Sequence, residues 1–303
     1  MASAYLQIIL SGLSVGGVYA LVAFSFSITF TTTKTLNFSQ GEVVGFGAFV
    51  GVAVLSLLGI SALAAPGITE GLGYLAALVG AGAVMGAVGV LLFLLAVRPF
   101  TGKPGMNWVM STIGFGIILQ SLGLAIWGPA PVMVASPFGS DVIRIGDAGI
   151  RPQEILIFVC VIGLVVVLDL VYRRTTFGKV MRAVAFDPDA ASLMGIDIRK
   201  VMVLTFAFSC ALAGVSGVLL APIASASLFM GMGVALKSFS GAMIGGLNNP
   251  RGCIYGGFML GLLETSVAFW QAQWREIVVF LLIILVLAFR PNGLFGGTVA
   301  EKV

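Results

Sequence analysis

Residues 71–89 read GLGYLAALVGAGAVMGAVG, an uncharged run in which small residues are interspersed with larger apolar side chains. A membrane-spanning helix needs about 20 mostly apolar residues, and this run together with the residues after it forms such a stretch at 72–97. Gly82, Gly86 and Gly89 have the three- and four-residue spacings that let helix backbones approach closely in lipid. The stretch therefore predicts one helix of a tightly packed membrane bundle.

The composition of the whole chain agrees with this interpretation. Its 303 residues are 59% hydrophobic and 9% charged, with a mean hydropathy of +1.12, whereas soluble domains carry about 25% charged residues. Other runs of spanning length lie at 5–31, 41–58, 107–127, 154–172, 201–222, 252–270 and 276–290. We therefore predict an all-α fold, a polytopic transmembrane bundle of eight or nine segments, with residues 1–303 as a single transmembrane domain.

Several classes of function do not fit the sequence. The chain has no histidine, which excludes histidine-ligated metals and Ser-His-Asp catalysis, and its three cysteines lie in separate apolar runs, where they act as small hydrophobic side chains. The net charge of +4 is not gathered into a basic face with interleaved aromatics, as a nucleic-acid-binding protein requires. A Gly-x-x-x-x-Gly-Lys-Ser/Thr phosphate loop is absent. We expect neither enzymatic activity nor a cofactor bound by this chain.

The loops predict how the chain is oriented. Residues 173–200 hold six of the 16 basic residues, so the positive-inside rule places this loop in the cytoplasm. Residues 128–153 then form an external loop, in which the alternation around Gly146 and Asp147 predicts a small hairpin. The apolar segment 235–247 is too short for a regular spanning helix and is predicted to be broken or re-entrant. If it counts as a crossing, the N-terminus lies outside.

The sequence of the predicted cytoplasmic loop contains both a start signal and a stop signal for a short helix. Asp187 is a good N-cap, Pro188 suits the first turn, and the carboxylate of Asp189 complements the positive end of the helix dipole. Gly195 is a natural stop after the last turn. These signals predict a helix at 188–194.

A second short helix is predicted just before it, at 177–185. Two interpretations of the loop remain open on physical grounds. It is either an amphipathic linker lying on lipid headgroups or a rigid element that docks with a partner and transmits force.

The pattern Asp189-Ala190-Ala191-x-x-x-Gly195 resembles the EAA loop of ABC importer permeases, with Asp where Glu is common. The surrounding FGKVMRAVAFDPDAASLMGID, residues 177–197, resembles the branched-chain amino acid importer family, and within it the smaller of the two permease subunits.

Three more stretches carry the same resemblance in the same order. They are LNFSQGEVVGFGAFV at 36–50, LKSFSGAMIGGLNNPRGCIYGG at 236–257 and FRPNGLFGG at 289–297. Two departures stand out: Gln40 lies where the family often has His, and Asn248 and Asn249 replace a Gly-Ser type of turn. These departures leave the substrate open among branched-chain amino acids, urea or short amides, and aromatic acids.

The resemblance implies a mechanism and companions. The chain would be the permease of a bacterial inner-membrane importer that works by alternating access, with a second homologous permease, two ATP-binding subunits holding ATP and Mg, and a periplasmic solute-binding protein. The alternative is a transporter or facilitator that works alone. Coupling to the ATPases would use the following residues: Phe177, Gly178, Arg182, Asp187, Pro188, Asp189, Ala190, Ala191 and Gly195.

Polar side chains within the apolar segments are candidates for the translocation path. A charge at a helix centre costs roughly 2.5–3.5 kcal/mol, so such residues face a cavity or a partner. The candidates are Asn37, Ser39, Gln40, Glu42, Lys237, Ser240 and Glu264.

Structural roles are open for most of these candidates. Asn37 or Ser39 could cap the helix that starts near residue 41, with Glu42 in its first turn. Lys237 could reach an interface, or pair with a substrate carboxylate, with Glu42 or with Glu264. Asp169, at the inner edge, is expected to form a local ion pair with Arg173 or Arg174.

Overall fold

The computed structural model describes residues 2–63, 67–101, 105–139, 141–145 and 148–296. Its helices are α1 Ala2–Thr33, α2 Gln40–Leu57, α3 Ile68–Leu92, α4 Asn107–Trp127, α5 Pro152–Arg174, α6 Thr176–Phe186, α7 Pro188–Leu193, α8 Ile198–Ala224, α9 Met230–Gly245, α10 Pro250–Trp270 and α11 Arg275–Phe289. A π-helical turn, Phe93–Val97, and a 3-10 turn, Arg98–Phe100, extend α3, and a 3-10 turn, Ala272–Trp274, precedes α11. The strands are β1 Ile143–Ile145 and β2 Ala148–Ile150.

Eight helices of the described chain are long and apolar enough to span a membrane, which confirms the predicted all-α polytopic bundle. The boundaries agree closely: the stretch predicted at 107–127 is α4, and the stretch predicted to begin at residue 72 begins at Ile68. The hairpin is confirmed too, since Ile143 pairs with Ile150 in antiparallel register. Its turn, at 146–147, lies outside the described residues. The protein is a multi-pass membrane protein.

The bundle has a core of central helices and a ring of outer ones. The most apolar windows of α1, α2 and α8 are 67–72% buried by the rest of the chain, whereas those of α4, α5 and α11 are 17–22% buried. Because lipid is as apolar as leucine, the central helices associate through close packing at small residues. A Cβ atom added at Gly257 of α10 would lie 2.5 Å from the Cα of Ala20 in α1, so the two backbones touch.

Contacts along the helices assign the segments to two ends of the bundle. Towards one end, Ser11, the tenth residue of α1, donates to Glu154 at the start of α5 (3.0 Å). At the other end, Arg251 at the start of α10 binds Asp169 near the end of α5 (2.6 Å), one turn from Arg173. Loop 173–200 and Arg251 therefore share an end, as the positive-inside argument predicts.

The segment at 235–247, predicted to be short and broken or re-entrant, corresponds to the last eleven residues of α9 and the two residues after it, and its helix breaks at Gly246. Helix α9 has 16 residues, is about 24 Å long at 1.5 Å per residue, and is not among the eight described helices long enough to span a membrane. The irregular backbone lies on either side, at Ser225 with φ +63° and at Gly246 with φ +93°. A continuous helix satisfies its own backbone groups at this depth, and only its ends need partners.

Those partners come from distant parts of the chain. At the end where α8 finishes, Val132 of the loop at 128–153 exchanges two backbone hydrogen bonds with Ala226 (2.9 and 2.8 Å). At the other end, Leu294 donates its N–H to the carbonyl of Ile244 (2.7 Å) and Ser27 donates to the carbonyl of Leu247 (2.7 Å). Helix α9 itself begins beside the start of α2, where a Cβ at Gly41 would lie 3.0 Å from the carbonyl oxygen of Gly231, and it runs from there to the end that carries loop 173–200.

The packing predicts unequal effects for two glycine substitutions. Gly257→Ala would place a methyl group against the Ala20 backbone, which cannot move aside, and we expect a loss of about 1–3 kcal/mol in unfolding free energy. Gly163→Ala, on exposed α5, meets nothing within 4 Å and should leave stability unchanged. Thermal unfolding of the two purified variants in detergent measures the difference, and equal melting temperatures would contradict this account of the packing.

Candidate functional site

Loop 173–200 contains the short helix that its sequence predicts. The Asp187 carboxylate accepts a hydrogen bond from the N–H of Ala190 (3.0 Å), and Pro188 occupies the first turn. After the helix, Gly195 has φ +81°, a conformation that favours glycine, and Ile196 donates its N–H to the carbonyl of Ala191 (3.1 Å). Helix α7 ends at Leu193, one residue before the predicted end, and both of its caps are present.

Helix α6 is fastened to the end of α5. Thr175 accepts the N–H of Gly178 (3.2 Å), and Gly178 is buried against the backbone of Tyr172. Arg182 donates to the carbonyl of Arg173 (3.4 Å), and its guanidinium lies over the Tyr172 ring at 5.5 Å. Gly178 and Arg182 therefore hold the α5–α6 corner rigid. Phe177 is half-buried and packs against the hydrophobic core of the bundle.

An apolar surface projects from this rigid corner. Phe186, Leu193 and Met194 are 85%, 90% and 83% exposed. We call these three residues the coupling knob. Ala191 of α7 is only 5% exposed, so one side of this helix is seated on the bundle. Asp189 and Ala190 are also exposed.

Large exposed apolar side chains on a loop are typical of an interaction surface. Sequence reasoning missed these apolar residues because they resemble the rest of an apolar chain. The available signal was the position of Leu193 and Met194 directly before the helix stop at Gly195.

A second group of interest lies at the start of α2. Asn37 donates to Gln40 Oε1 (2.7 Å) and accepts the Ser39 hydroxyl (2.6 Å), while Gln40 donates to the Ser25 hydroxyl (2.6 Å). Ser209 of α8 donates to the Ser25 carbonyl (3.2 Å). All five residues are 0% exposed. We call this group the polar knot.

The polar knot fixes α2 deep inside the bundle. A Cβ at Gly116, the tenth residue of the 21-residue α4, would lie 3.0 Å from the side chains of Ser39 and Glu42, so α2 begins opposite the middle of α4. The prediction that Ser39 caps the helix is wrong, because its hydroxyl is bonded to Asn37 instead. Asn37 accepts the N–H of Ser39 (3.1 Å), just before the first turn. Ser25 and Ser209 were missed, since isolated serines in apolar runs carry no pattern.

Glu42 differs from its neighbours in the knot. It is half-buried in the first turn of α2, and its Oε2 atom has no hydrogen-bond partner within the described part of the chain. Nor does any described Lys or Arg lie within 4 Å of it, so the predicted alternative of a Glu42–Lys237 pair is not present. This carboxylate lies about halfway through the bundle, and its Oε2 atom can accept a further hydrogen bond.

A third group combines four charges where α9, α10 and α11 meet. Lys237 Nζ lies 2.7 Å from Glu264 Oε1 and 2.9 Å from Glu276 Oε1. Arg275 Nε lies 3.2 Å from the same Glu264 oxygen. The side chains of Lys237 and Glu264 are 9% and 6% exposed, whereas those of Arg275 and Glu276 are about half exposed. We call this group the charge cluster.

The charge cluster realises one of the predicted alternatives, the ion pair of Lys237 with Glu264. Sequence reasoning missed Arg275 and Glu276, although charged residues at the start of an apolar helix were an available signal. Ser240, one turn along α9, donates to its own helix at the Leu236 carbonyl (2.7 Å).

Two further observations complete the inventory of polar groups. Asp169 forms the expected local pair with Arg173 (3.8 Å) and a shorter, unforeseen one with Arg251 (2.6 Å). No group of three His, Cys, Asp or Glu side chains that could hold a metal ion occurs among the described residues.

Comparison with known proteins identifies relatives along the whole chain. Residues 8–287 match the family model described as branched-chain amino acid transport system / permease component. The chain is similar to the high-affinity branched-chain amino acid transport system permease protein LivH of Escherichia coli K12, with 32% identity over 99% of this chain and 98% of that protein. The corresponding BraD protein of Pseudomonas aeruginosa is 31% identical, also over 99% and 98% of the two chains. A solved structure of a metal-chelate type ABC transporter aligns at 17% identity with a TM-score of 0.45, over 93% of this chain and 82% of that one.

The charge cluster predicts an order of stabilities. Glu264→Gln leaves Lys237 paired with Glu276, whereas Lys237→Met leaves two carboxylates sharing one guanidinium inside the bundle. We expect Lys237→Met to cost the larger part of the about 3–5 kcal/mol typical of a broken buried pair, and Lys237→Met/Glu264→Gln to recover much of it. Melting temperatures in detergent test the order, which a more harmful Glu264→Gln would contradict.

Proposed function

The chain belongs to the family of branched-chain amino acid transport system permease components, and from this premise we propose that it is the membrane-spanning subunit of an ATP-driven importer of amino acids. The imported solutes would be branched-chain amino acids, as in the printed descriptions of its relatives. The chain carries no phosphate-binding loop, so ATP hydrolysis takes place on separate subunits, which hold the ATP and Mg.

The coupling knob is the observation that carries this proposal. Its apolar side chains stand on a helix capped at both ends, on a corner that Gly178 and Arg182 make rigid. Force applied to the knob by an ATPase subunit reaches α5 and α8 directly, because α6 to α7 are joined to both by a few residues. A loose loop would absorb the same displacement.

The remaining companions follow from the surfaces that the chain leaves uncovered. Helix α9 lies among the central helices, yet Phe229, Met232 and Leu236 expose 45–56% of their surface. This face is suited to a second, homologous permease, whose presence would complete the pore. A periplasmic solute-binding protein would dock at the end that carries the loop at 128–153, and the assembly would lie in a bacterial inner membrane.

Among the candidate path residues, Glu42 is the one we assign to the substrate. Asn37, Ser39 and Gln40 are fully buried and bonded to one another, so they shape the entry of α2. Glu42 and Glu264 each have one oxygen without a hydrogen-bond partner among the described residues. Glu264 is already paired with Lys237 and Arg275, whereas Glu42 has no described Lys or Arg within 4 Å, so the ammonium group of an amino acid could be received at Glu42. Because Gln40 is enclosed in the polar knot, its departure from the family pattern does not argue for a different solute.

The alternative of a transporter that works alone is less well supported. Such a protein needs a site for a coupling ion, and the charge cluster is the strongest candidate. Its two acids and two bases already pair with one another. A transporter that works alone would also leave the coupling knob without a role. Transport of leucine by the purified chain without nucleotide or companion chains would favour this alternative.

One prediction tests the coupling role of the knob. Phe186→Ser/Leu193→Asp should reduce both ATP-dependent leucine uptake in proteoliposomes and co-purification of the ATPase subunits by about tenfold or more, because the docking surface becomes polar. Phe289→Ser is the matched control, since Phe289 is 80% exposed at the same end of the bundle but lies on α11. Normal co-purification and uptake of the double variant would contradict the coupling role.

The second prediction concerns the path. Glu42→Gln keeps the shape of the side chain and removes its charge, so we expect the KM for leucine to rise about tenfold, equivalent to ~1.4 kcal/mol of lost binding. Co-purification of the ATPase subunits should not change. Glu70→Gln is the control, because Glu70 lies in the first turn of α3 at the other end of the bundle. An unaltered KM and rate in Glu42→Gln would leave this residue with a structural role only.

A further inference from the structure

A groove opens between α3 and α8 at the end of the bundle that carries the coupling knob. Its volume is about 420 Å³. It is lined by Leu94, Asp197, Arg199, Lys200, Val203 and Leu204. No residue of the polar knot, the charge cluster or the coupling knob contributes to it, so it is separate from the sites described above.

The backbone explains why the two helices part at this point. Deeper in the bundle they touch, since a Cβ at Gly89 of α3 would lie 2.9 Å from the Cα of Ala207 in α8. Beyond that contact α3 changes to the π-helical turn Phe93–Val97, which contains Leu94. A π turn is wider than an α turn and interrupts the regular packing of side chains. The groove lies where this regular packing ends.

The mouth of the groove is cationic. Asp197 caps α8 by accepting the N–H of Lys200 (3.2 Å), and its other oxygen lies 3.3 Å from Lys200 Nζ. Two hydrogen bonds from Lys200 lower the pKa of Asp197, the one from its backbone more than the one from its side chain. The Asp197 carboxyl group therefore stays ionised. Arg199 has no carboxylate within 4 Å among the described residues. Arg98, four residues after Leu94 on α3, adds another exposed cation near this end.

The floor of the groove is apolar. Leu94 and Val203 are half-buried, and Leu204 is 50% exposed. These side chains lie on the membrane side of Arg199 and Lys200, because α8 runs from Ile198 into the bundle. The groove thus places cations where the chain leaves the membrane and a hydrocarbon surface directly below them.

We propose that this groove binds an anionic phospholipid of the cytoplasmic leaflet, with its phosphate at Arg199 and Lys200 and an acyl chain along Leu94, Val203 and Leu204. Basic pockets between spanning helices on the cytoplasmic side bind anionic headgroups. A small free anion would use the cations and leave the apolar floor unused, whereas a zwitterionic lipid, which has no net charge, would gain little from the net positive charge of Asp197, Arg199 and Lys200.

The test is native mass spectrometry of the full chain in detergent, with phosphatidylglycerol and phosphatidylcholine of identical acyl chains. The wild type should retain phosphatidylglycerol in preference. Arg199→Gln/Lys200→Gln should weaken that retention by about fivefold or more. Arg174→Gln/Lys179→Gln removes the same charge from exposed positions at the same end and should retain the lipid as the wild type does. Equal losses in the two double variants, or none in the first, would overturn the proposal.

A variant that changes no charge tests the apolar floor. Leu204→Trp should fill the groove and reduce retention of phosphatidylglycerol, while added inorganic phosphate at millimolar concentration should not displace the lipid from the wild type. Displacement by phosphate together with normal lipid retention by Leu204→Trp would identify a small-anion site and overturn the lipid assignment.

Discussion

Direct contact between helix backbones is the constraint on which this structure depends. Water drives apolar helices together in a soluble protein, but lipid does not, so the bundle relies on close packing. Gly257 against Ala20 joins α10 to α1, and Gly89 against Ala207 joins α3 to α8. Each of these contacts needs a residue without a side chain at that position. The abundance of glycine, 41 residues, is therefore part of the architecture.

Close packing in turn determines where polar groups can be placed. The polar knot and the Lys237–Glu264 pair of the charge cluster are buried in protein, where each residue has at least one bonded partner, and they join helices that are far apart in sequence. In hydrocarbon an unsatisfied polar group costs several kcal/mol, which explains why both groups are so densely bonded. Glu42 departs from this rule with an unpartnered oxygen, and the departure is what separates it from its structural neighbours.

Much of this architecture is predictable from the sequence, and the reasons for the failures are physical. The spanning helices follow from length and hydropathy, and α7 follows from the local chemistry of Asp187, Pro188 and Gly195. Local chemistry does not determine where α9 lies, because the backbone groups near its two ends pair with Val132, Ser27 and Leu294 elsewhere in the chain. The partners in the polar knot and the charge cluster are separated from one another by up to 184 residues. A single sequence carries no signal for such pairings.

The composition of the charge cluster has an electrical consequence. Lys237 and Arg275 balance Glu264 and Glu276, so the group as a whole is electroneutral. Moving one elementary charge across the transmembrane voltage involves about 2.3 kcal/mol per 100 mV. A displacement that carries all four side chains the same distance along the membrane normal therefore does no net work against that voltage. Such a movement of the cluster is independent of the membrane potential.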